Sequence, residues 1–340
     1  MKKKLRIILL VHSSLTPPEN LHPDDPRIDN FRTEYDVKTT LKALGHTVMV
    51  IGSHDDLTPI HTALTEWKPD IVFNLLEEFS GNPCLDHYVV SYLEMMGIPY
   101  TGCNPRGLML ARDKVLSNIL LAHDHIHTPE FKLFPIGQAI KPIDNKLYPL
   151  VVKSRSHEGS IAISQASYVT NSQQLRQRVE LIHAKTGDDA IAEQYIEGRE
   201  LYITLIGNTR LTALPFRELF FGDTEPSTPY LATYKTKWDP AFRQRRQIKF
   251  DFATKLTPTL EKKITQTCKQ ACRILGLNGY MRFDIRLNAA GQVFILDANA
   301  NPGIASDEDS SHSAARAGLD YPAFIQRLIE LGIRARKQRH

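Results

Sequence analysis

Two short segments near the C-terminus predict a β-hairpin with acids, an amide and an arginine on one face. Over residues 281–287, apolar side chains alternate with Arg282 and Asp284, which is the period of a half-buried strand. A turn rich in Asn and Gly then leads to a second strand at 292–298. If the turn is symmetric, Asp297 lies opposite Arg282, and Asp284 is its diagonal neighbour with a Cβ separation of roughly 7 Å.

Such a face has a chemical consequence. Carboxylates that share a buried face are costly unless something cationic binds there. Asp284, Asp297 and Asn299 offer hard oxygen ligands, and Mg²⁺ takes such ligands beside the phosphate oxygens of a nucleotide. The alternative is a solvated sheet face, and the hairpin alone does not separate the two.

Composition limits the class of protein. A chain of 340 residues can hold two or three domains, and 42% hydrophobic with 24% charged residues is ordinary for a soluble globular protein. The net charge of +4 is too small to indicate a nucleic-acid partner. The apolar run at 5–11 is too short for an export signal, and no run reaches transmembrane length. The four cysteines show no disulfide framework, so we expect a cytoplasmic protein without a membrane partner.

The first hundred residues alternate strands with helices. Strands are expected at 5–11, 47–51, 70–74 and 98–100, and helices at 34–44 and 86–96. This alternation predicts a doubly wound parallel sheet, in which ligands bind at the loops after the strands. A polar loop at 13–33 separates the first strand from the first helix, and loops of that length are usually functional or disordered.

Beyond residue 104 the pattern changes to shorter strands. The clearest helix spans 255–275, with Thr257 as a candidate N-cap and Gly276 after its end. Cys268 falls on the apolar stripe of this helix, so we expect it in the core and not on a metal. The segment 216–252 is polar, aromatic and basic, and is either a lid or a long ordered loop.

Three histidines suggest a metal site at first sight. His123, His125 and His127 would share one face of an extended segment. The sequence around them is loop-like and offers no acidic partner, so exposed histidines are favoured over a zinc site.

Two further segments are compatible with nucleotide binding. Lys153 ends a strand and precedes a small polar loop that includes Gly159 and Ser160, and such a loop can present N–H groups to phosphates. Glu193 and Glu200 flank a strand end that could hold a ribose and an adenine edge. Taken singly, an ordinary hairpin and an exposed turn explain these segments better.

Their order along the chain is more specific than any one of them. Lys114, Lys153, the Gly159-Ser160 loop, the segment 193–200, Arg282-x-Asp284 and Asp297-x-Asn299 together resemble the ATP-grasp superfamily, most closely its D-alanine–D-alanine ligase branch. The resemblance covers nearly the whole chain. It implies an α/β ATP-grasp fold of three domains: an N-terminal doubly wound parallel sheet (1–103) and two α+β lobes that clamp ATP, one central (104–192) and one C-terminal with the metal site (193–340).

The resemblance also assigns roles by position. Phosphate contacts fall to Lys114, Lys153, Gly159 and Ser160, and the adenine edge and ribose to Glu193, Ile196 and Glu200. Metal ligands are Asp284, Asp297 and Asn299. Catalytic positions are Arg282 beside the phosphoryl group, Gly303 as a backbone donor, and Lys237 on the lid, with Lys235 as its alternative. The implied cofactors are ATP and Mg²⁺ (two ions), with Mn²⁺ as a substitute.

The reaction implied is amide formation through an acyl phosphate. A carboxylate attacks the γ-phosphate of ATP, and an amine then displaces phosphate. Phosphoryl transfer requires positioning and charge neutralisation, which lysines, metal ions and an arginine supply. A lid keeps the acyl phosphate from water.

Departures from the family pattern concern the substrates. The family's Gly-Gly-x-Ser-x-Glu loop is replaced after the first strand by His12-Ser13-Ser14, with no glutamate at the matching spacing, and Asp297 replaces a glutamate. Three acids at 307–309 follow Gly303 and would repel a substrate carboxylate. We therefore expect a small-molecule carboxylate and an amine or cationic amino compound as substrates.

Two alternatives remain open at this stage. One is a D-alanine–D-alanine or D-lactate ligase of cell-wall synthesis with a rearranged site. The other is a non-catalytic ATP-binding regulator, which would have no need of the arginine at position 282. A homodimer is implied only by the resemblance.

Overall fold

The computed structural model describes residues 3–19, 21–157, 162–222 and 229–339. The strands are β1 (Arg6–His12), β2 (Thr47–Ser53), β3 (Ile71–Asn74), β4 (Phe131–Phe134), β5 (Leu150–Ser154), β6 (Tyr168–Val169), β7 (Ala190–Gln194), β8 (Arg199–Gly207), β9 (Leu211–Ala213), β10 (Arg217–Phe220), β11 (Lys249–Phe252), β12 (Gly279–Leu287) and β13 (Val293–Ala300). The helices are α1 (Arg32–Ala43), α2 (Thr58–Thr62), α3 (Asp86–Met95), α4 (Pro105–Arg112), α5 (Lys114–His123), α6 (Ser172–Thr186), α7 (Tyr234–Trp238), α8 (Pro240–Arg245), α9 (Pro258–Ile274), α10 (Asp309–Arg316) and α11 (Tyr321–Arg339). In the described parts of the chain, no helix has both the length and the apolar character needed to cross a membrane.

The N-terminal strands form a parallel sheet of order β2-β1-β3, as the alternating pattern predicts. On β1, Ile7 and Leu9 face one core and Ile8 and Leu10 face another, so the strand is buried on both sides. The predicted strand at 98–100 is wrong. Only an isolated bridge forms there, between Val72 and Tyr100, because the chain turns away at Gly102 with φ of +94°.

The long loop between β1 and α1 is ordered in its described residues. It contains two short 3-10 turns, Ser13–Leu15 and Pro26–Phe31. Lys38 of α1 is buried, and its Nζ donates to the carbonyls of Pro17 and Pro18 at 3.1 Å each. A helix side chain thus fixes the course of the loop.

The central sheet is antiparallel, with the order β4-β7-β5-β6. Helix α6 covers one face of it, burying Leu175, Val179 and Ile182 against strand residues that include Leu150 and Val152. This small core is separate from the larger cores of the molecule, so the sheet forms a compact lobe.

The C-terminal sheet has the order β11-β10-β8-β12-β13, with β9 paired to β8. Helix α9 packs on it through a buried stripe that includes Cys268, and the Thr257 side chain accepts from the backbone of Leu260 as the predicted N-cap. The segment 216–252 extends this sheet by β10 and β11, with α7 and α8 between them.

Helix α11 leaves the C-terminal lobe and packs on the N-terminal sheet. Phe324, Leu328 and Ile329 are buried in one core with Ile7 and Phe73. The first and last parts of the chain therefore share a hydrophobic core.

Candidate active site

The hairpin of β12 and β13 brings the acids together, but in a different register from the one expected. Asp284 pairs with Asp297, and Arg282 pairs with Asn299. The predicted symmetric register, with Asp297 opposite Arg282, is wrong: next to the turn Leu287 pairs with Val293, one residue away from that register, and a further shift follows between Ile285 and Asp284. Leu296 is the extra residue of the resulting β-bulge. Two carboxylates consequently stand directly opposite each other on one face.

Asp284 is buried and accepts several hydrogen bonds. Arg282 donates from Nε to Oδ1 at 2.7 Å and from Nη2 to Oδ2 at 3.1 Å. Asn299 donates from Nδ2 to Oδ1 at 3.1 Å, and Lys237 Nζ lies 3.5 Å from Oδ2. These contacts place the predicted lid lysine and the predicted phosphoryl arginine on the same carboxylate.

Asp297 lies in the field of several of the same cations. Burial by itself would raise its pKa, yet the charges of Lys153, Lys114 and Lys237 lower the pKa below its ordinary value. The carboxyl is therefore held in its charged form among cations that come from all parts of the site.

Lys153 connects the two lobes. Its Nζ, at the end of β5, lies 2.9 Å from Oε2 of Glu193 and donates to the carbonyl of Leu296 at 3.2 Å. Burial would lower the pKa of this lysine, but Glu193 and Asp297 raise it. The bulge in β13 thus supplies a backbone acceptor to a lysine of the central lobe.

The predicted phosphate loop is only partly described. Gly159 and Ser160 lie outside the described residues, so their predicted role stays a prediction. The residues before them are held by Asp188, which accepts from the backbone N of Ser156 at 2.7 Å and from the Ser154 hydroxyl. Lys114 donates from Nζ to the carbonyl of His157 at 2.7 Å.

Three other predicted positions lie in the same cleft. Glu193, Ile196 and Glu200 line the same cleft as Lys153 and Asp297. The sequence prediction did not include Arg286, whose guanidinium lies 2.6 Å from Glu200. Arg286 is the next residue on the same face of β12 after Arg282 and Asp284.

Tyr202 was also not predicted as a site residue. It lies beneath the charged groups, with the Arg282 guanidinium 5.2 Å and the Lys237 Nζ 5.9 Å from its ring centre. Its hydroxyl donates to Glu200 at 2.8 Å. An inward aromatic residue on an apolar strand has the sequence signature of ordinary core, so no signal distinguished it.

The structure separates the two lid candidates. Lys237 lines the cleft, whereas Lys235, two residues earlier on α7, is exposed and makes no contact with Asp284 among the described residues. Helix α7 is tied to the central lobe because Tyr234 N donates to the Ile163 carbonyl at 3.0 Å.

The three histidines at 123–127 do not converge. His123 and His125 are exposed, and His127 packs on Phe294 with 5.3 Å between ring centres. Within the described residues they form no group with metal-ligand spacing.

A protein-family model described as the D-ala D-ala ligase C-terminus matches residues 130–330. A D-alanine–D-alanine ligase of Nitratidesulfovibrio vulgaris is 32% identical over 304 residues, which is 88% of this chain and 91% of that protein. The chain belongs to the D-alanine–D-alanine ligase family. The protein y4sG of Sinorhizobium fredii, described as uncharacterised, is also 32% identical, over 88% of this chain and 86% of its own.

Solved structures of this family share the fold. The D-alanine–D-alanine ligase of Bacillus anthracis, solved with ATP, superposes with a TM-score of 0.75 at 20% identity, covering 99% of this chain and 100% of that one. The enzyme of Coxiella burnetii gives 0.74 at 17% identity, covering 99% and 96%. The ATP-grasp architecture expected from the sequence is thereby confirmed. As a family member, the chain is an ATP-dependent carboxylate–amine ligase that forms C–N bonds with ATP and a divalent metal.

A buried glutamate stands at the start of α1. Glu34 occupies the first turn of this helix and is 7% exposed, and burial raises its pKa.

The segment after Gly303 lies against α1. Asp36 accepts from the backbone N of Ser306 at 2.9 Å. The Glu308 carboxylate lies so close to Gly303 that a Cβ there would overlap it. Burial raises the pKa of Glu308 to about 7, against the lowering effect of Arg282, and Asp307, Asp309 and Glu34 add to the rise.

Proposed function

We propose that this ligase activates a small-molecule carboxylate as its acyl phosphate and transfers the acyl group to an amine of neutral or cationic character. The observation that carries the proposal is the pair Asp284–Asp297, surrounded by Lys153, Lys237 and Arg282. This arrangement matches the demands of phosphoryl transfer, which are positioning and charge neutralisation.

The donor set suits magnesium. Asp284, Asp297 and Asn299 offer only hard oxygen ligands, which fit Mg²⁺ better than a soft metal. When bound, two such ions would neutralise the β- and γ-phosphates, and Mn²⁺ would substitute. Arg282, already on Asp284, is then positioned beside the transferring phosphoryl group.

The remaining roles follow the cleft from one end to the other. Lys114 and Lys153 hold phosphates together with the Gly159-Ser160 loop, Glu193 and Ile196 bind the adenine edge, and Glu200 binds the ribose. Lys237 closes on the site from α7. The backbone N–H of Gly303 donates to the tetrahedral intermediate.

The acidic side chains that follow Gly303, where we place the amine substrate, favour an amine without a free carboxylate. Burial raises the pKa of Glu308, and the charges of Asp307, Asp309 and Glu34 raise it further. A substrate carboxylate placed there would be repelled, whereas an ammonium group would relieve the repulsion.

D-alanine–D-alanine synthesis is the second candidate. The relative in Nitratidesulfovibrio vulgaris is named for it, and Glu34 offers an acid of the kind with which the family holds a substrate ammonium group. We also propose the domain limits 1–103, 104–192 and 193–340, a cytoplasmic location and a homodimer as features to be tested with the activity.

The test is ADP release with Mg²⁺ and pools of amino acids, D-alanine or polyamines, followed by mass analysis of the condensed product. Release that depends on an amine pool supports the proposal, and release with D-alanine alone supports the second candidate. ATP binding without turnover in any pool would favour a regulator. Asp284→Asn is the control, and equal turnover in this variant would refute the site assignment.

A further inference from the structure

Three potential metal ligands converge at one edge of the N-terminal sheet, outside the ATP cleft. His12 is the last residue of β1, His54 follows β2, and Glu78 follows β3 in the chain. Because the order is β2-β1-β3 and all strands are parallel, their carboxyl ends meet at this edge. Open α/β sheets bind ligands at that edge.

The ligand atoms are already within reach of one ion. His12 Nε2 lies 2.9 Å from His54 Nδ1 and 3.3 Å from Glu78 Oε1, and one ligand atom from each residue lies within 4.8 Å of the others. Zinc bonds nitrogen and oxygen at about 2.0–2.2 Å, which puts tetrahedral ligands roughly 3.3 Å apart. A small outward movement of the exposed His54 ring would accommodate the ion.

The surroundings fix two of the three ligands. His12 Nδ1 accepts from the backbone N–H of Ser14 at 3.3 Å and lies 2.7 Å from Ser14 Oγ. A metal on Nε2 would require the ring proton on Nδ1, where Ser14 Oγ could accept it. The backbone N–H of Ser80 donates to the carbonyl of His54 at 2.6 Å, which ties the loop after β2 to the loop that carries Glu78.

We propose that His12, His54 and Glu78 bind a zinc-class divalent cation with one coordination position left open. Two imidazoles and one carboxylate suit zinc or cobalt, whereas Mg²⁺ prefers oxygen ligands. Three protein ligands and an open position are typical of zinc sites that also bind a small molecule. The site differs in ligand type and position from the Asp284–Asp297 pair and does not depend on the proposed ligase reaction.

The experiment is calorimetric titration of the whole chain with Zn²⁺ in excess Mg²⁺, with Co²⁺ absorption as a second readout. We expect one Zn²⁺ per chain. His54→Ala and Glu78→Gln should weaken binding by more than about 100-fold, and Ser14→Ala by roughly 10- to 100-fold, the usual cost of losing a partner of a metal ligand.

His22→Ala is the matched control, because His22 is exposed and lies beside Asp24, outside the cluster. It should leave binding unchanged. Circular dichroism should show native folding of His54→Ala, since this side chain is exposed. Absence of Zn²⁺ binding in the wild type, or wild-type affinity in both His54→Ala and Glu78→Gln, would overturn the proposal and leave the cluster as a hydrogen-bonded triad.

Discussion

Asp284 and Asp297 face each other directly across β12 and β13 because Leu296 is bulged out of the ladder. Without the bulge, the pairing of Ile285 with Ile295 would continue as Asp284 with Leu296 and Phe283 with Asp297, so the two acids would lie on opposite faces. The same bulge turns the Leu296 carbonyl to Lys153. One irregular residue therefore aligns the carboxylates with each other and with a lysine of the other lobe.

Removing either charge of this pair should abolish turnover. Asp284→Asn or Asp297→Asn keeps the size of the side chain but weakens metal binding and charge neutralisation. We expect ADP release to fall by about 100- to 1,000-fold, the usual loss for one electrostatic group in an active site. Nucleotide binding, measured by fluorescence titration, should partly survive, and a variant with wild-type turnover would contradict the assignment.

The two lysines of α7 provide a matched comparison. Lys237 lies 3.5 Å from Asp284, and Lys235 is exposed. We expect Lys237→Ala to lower kcat by about 100-fold or more, because a cation beside the phosphates is lost. Lys235→Ala should leave kcat within twofold. Steady-state kinetics decides between them, and equal effects of the two substitutions would refute the lid role of Lys237.

A methyl group at position 303 should act through Glu308. In Gly303→Ala the new Cβ overlaps the Glu308 carboxylate, which is the flexible end of its side chain and can rotate away. We expect thermal stability close to the wild type but a reduced rate of amide formation. In a Glu308→Ala background the same change should cost less, and a double-mutant cycle measures that coupling. Additive effects would contradict it.

Glu308 should make stability fall as the pH rises. Its pKa increases from 4.5 in the unfolded chain to about 7 in the folded one, so the folded state retains the proton over that interval. The unfolding free energy should therefore decrease between these pH values by up to about 3 kcal/mol and level off above them. Glu308→Gln should remove this part of the dependence, as urea titrations at pH 5 and pH 8 would show.

Those parts of the site that depend on residue type and periodicity could be predicted from the sequence. The alternation around Arg282 and Asp284 predicted a hairpin with acids on one face, and the apolar run at 5–11 predicted the first strand of a parallel sheet. Both features depend on whether apolar side chains alternate with polar ones or follow one another in a run, so they can be predicted from the sequence.

What escaped prediction depends on backbone geometry and strand order. The bulge at Leu296 has no glycine to mark it, and its carbonyl is a backbone group that any residue would present to Lys153. The sequence did not mark Glu34, because an acid in the first turn of a helix is common whatever its role. His12 and His54 are distant in sequence, and only the strand order makes them neighbours.

Helix α11 completes the core of the N-terminal sheet with Phe324, Leu328 and Ile329. During synthesis, β1 to β3 leave the ribosome long before this helix does. Part of one face of the sheet remains uncovered, and open to chaperones or to aggregation, until α11 has been translated. The first strands of the chain thus reach their final packing only when a helix made much later is available.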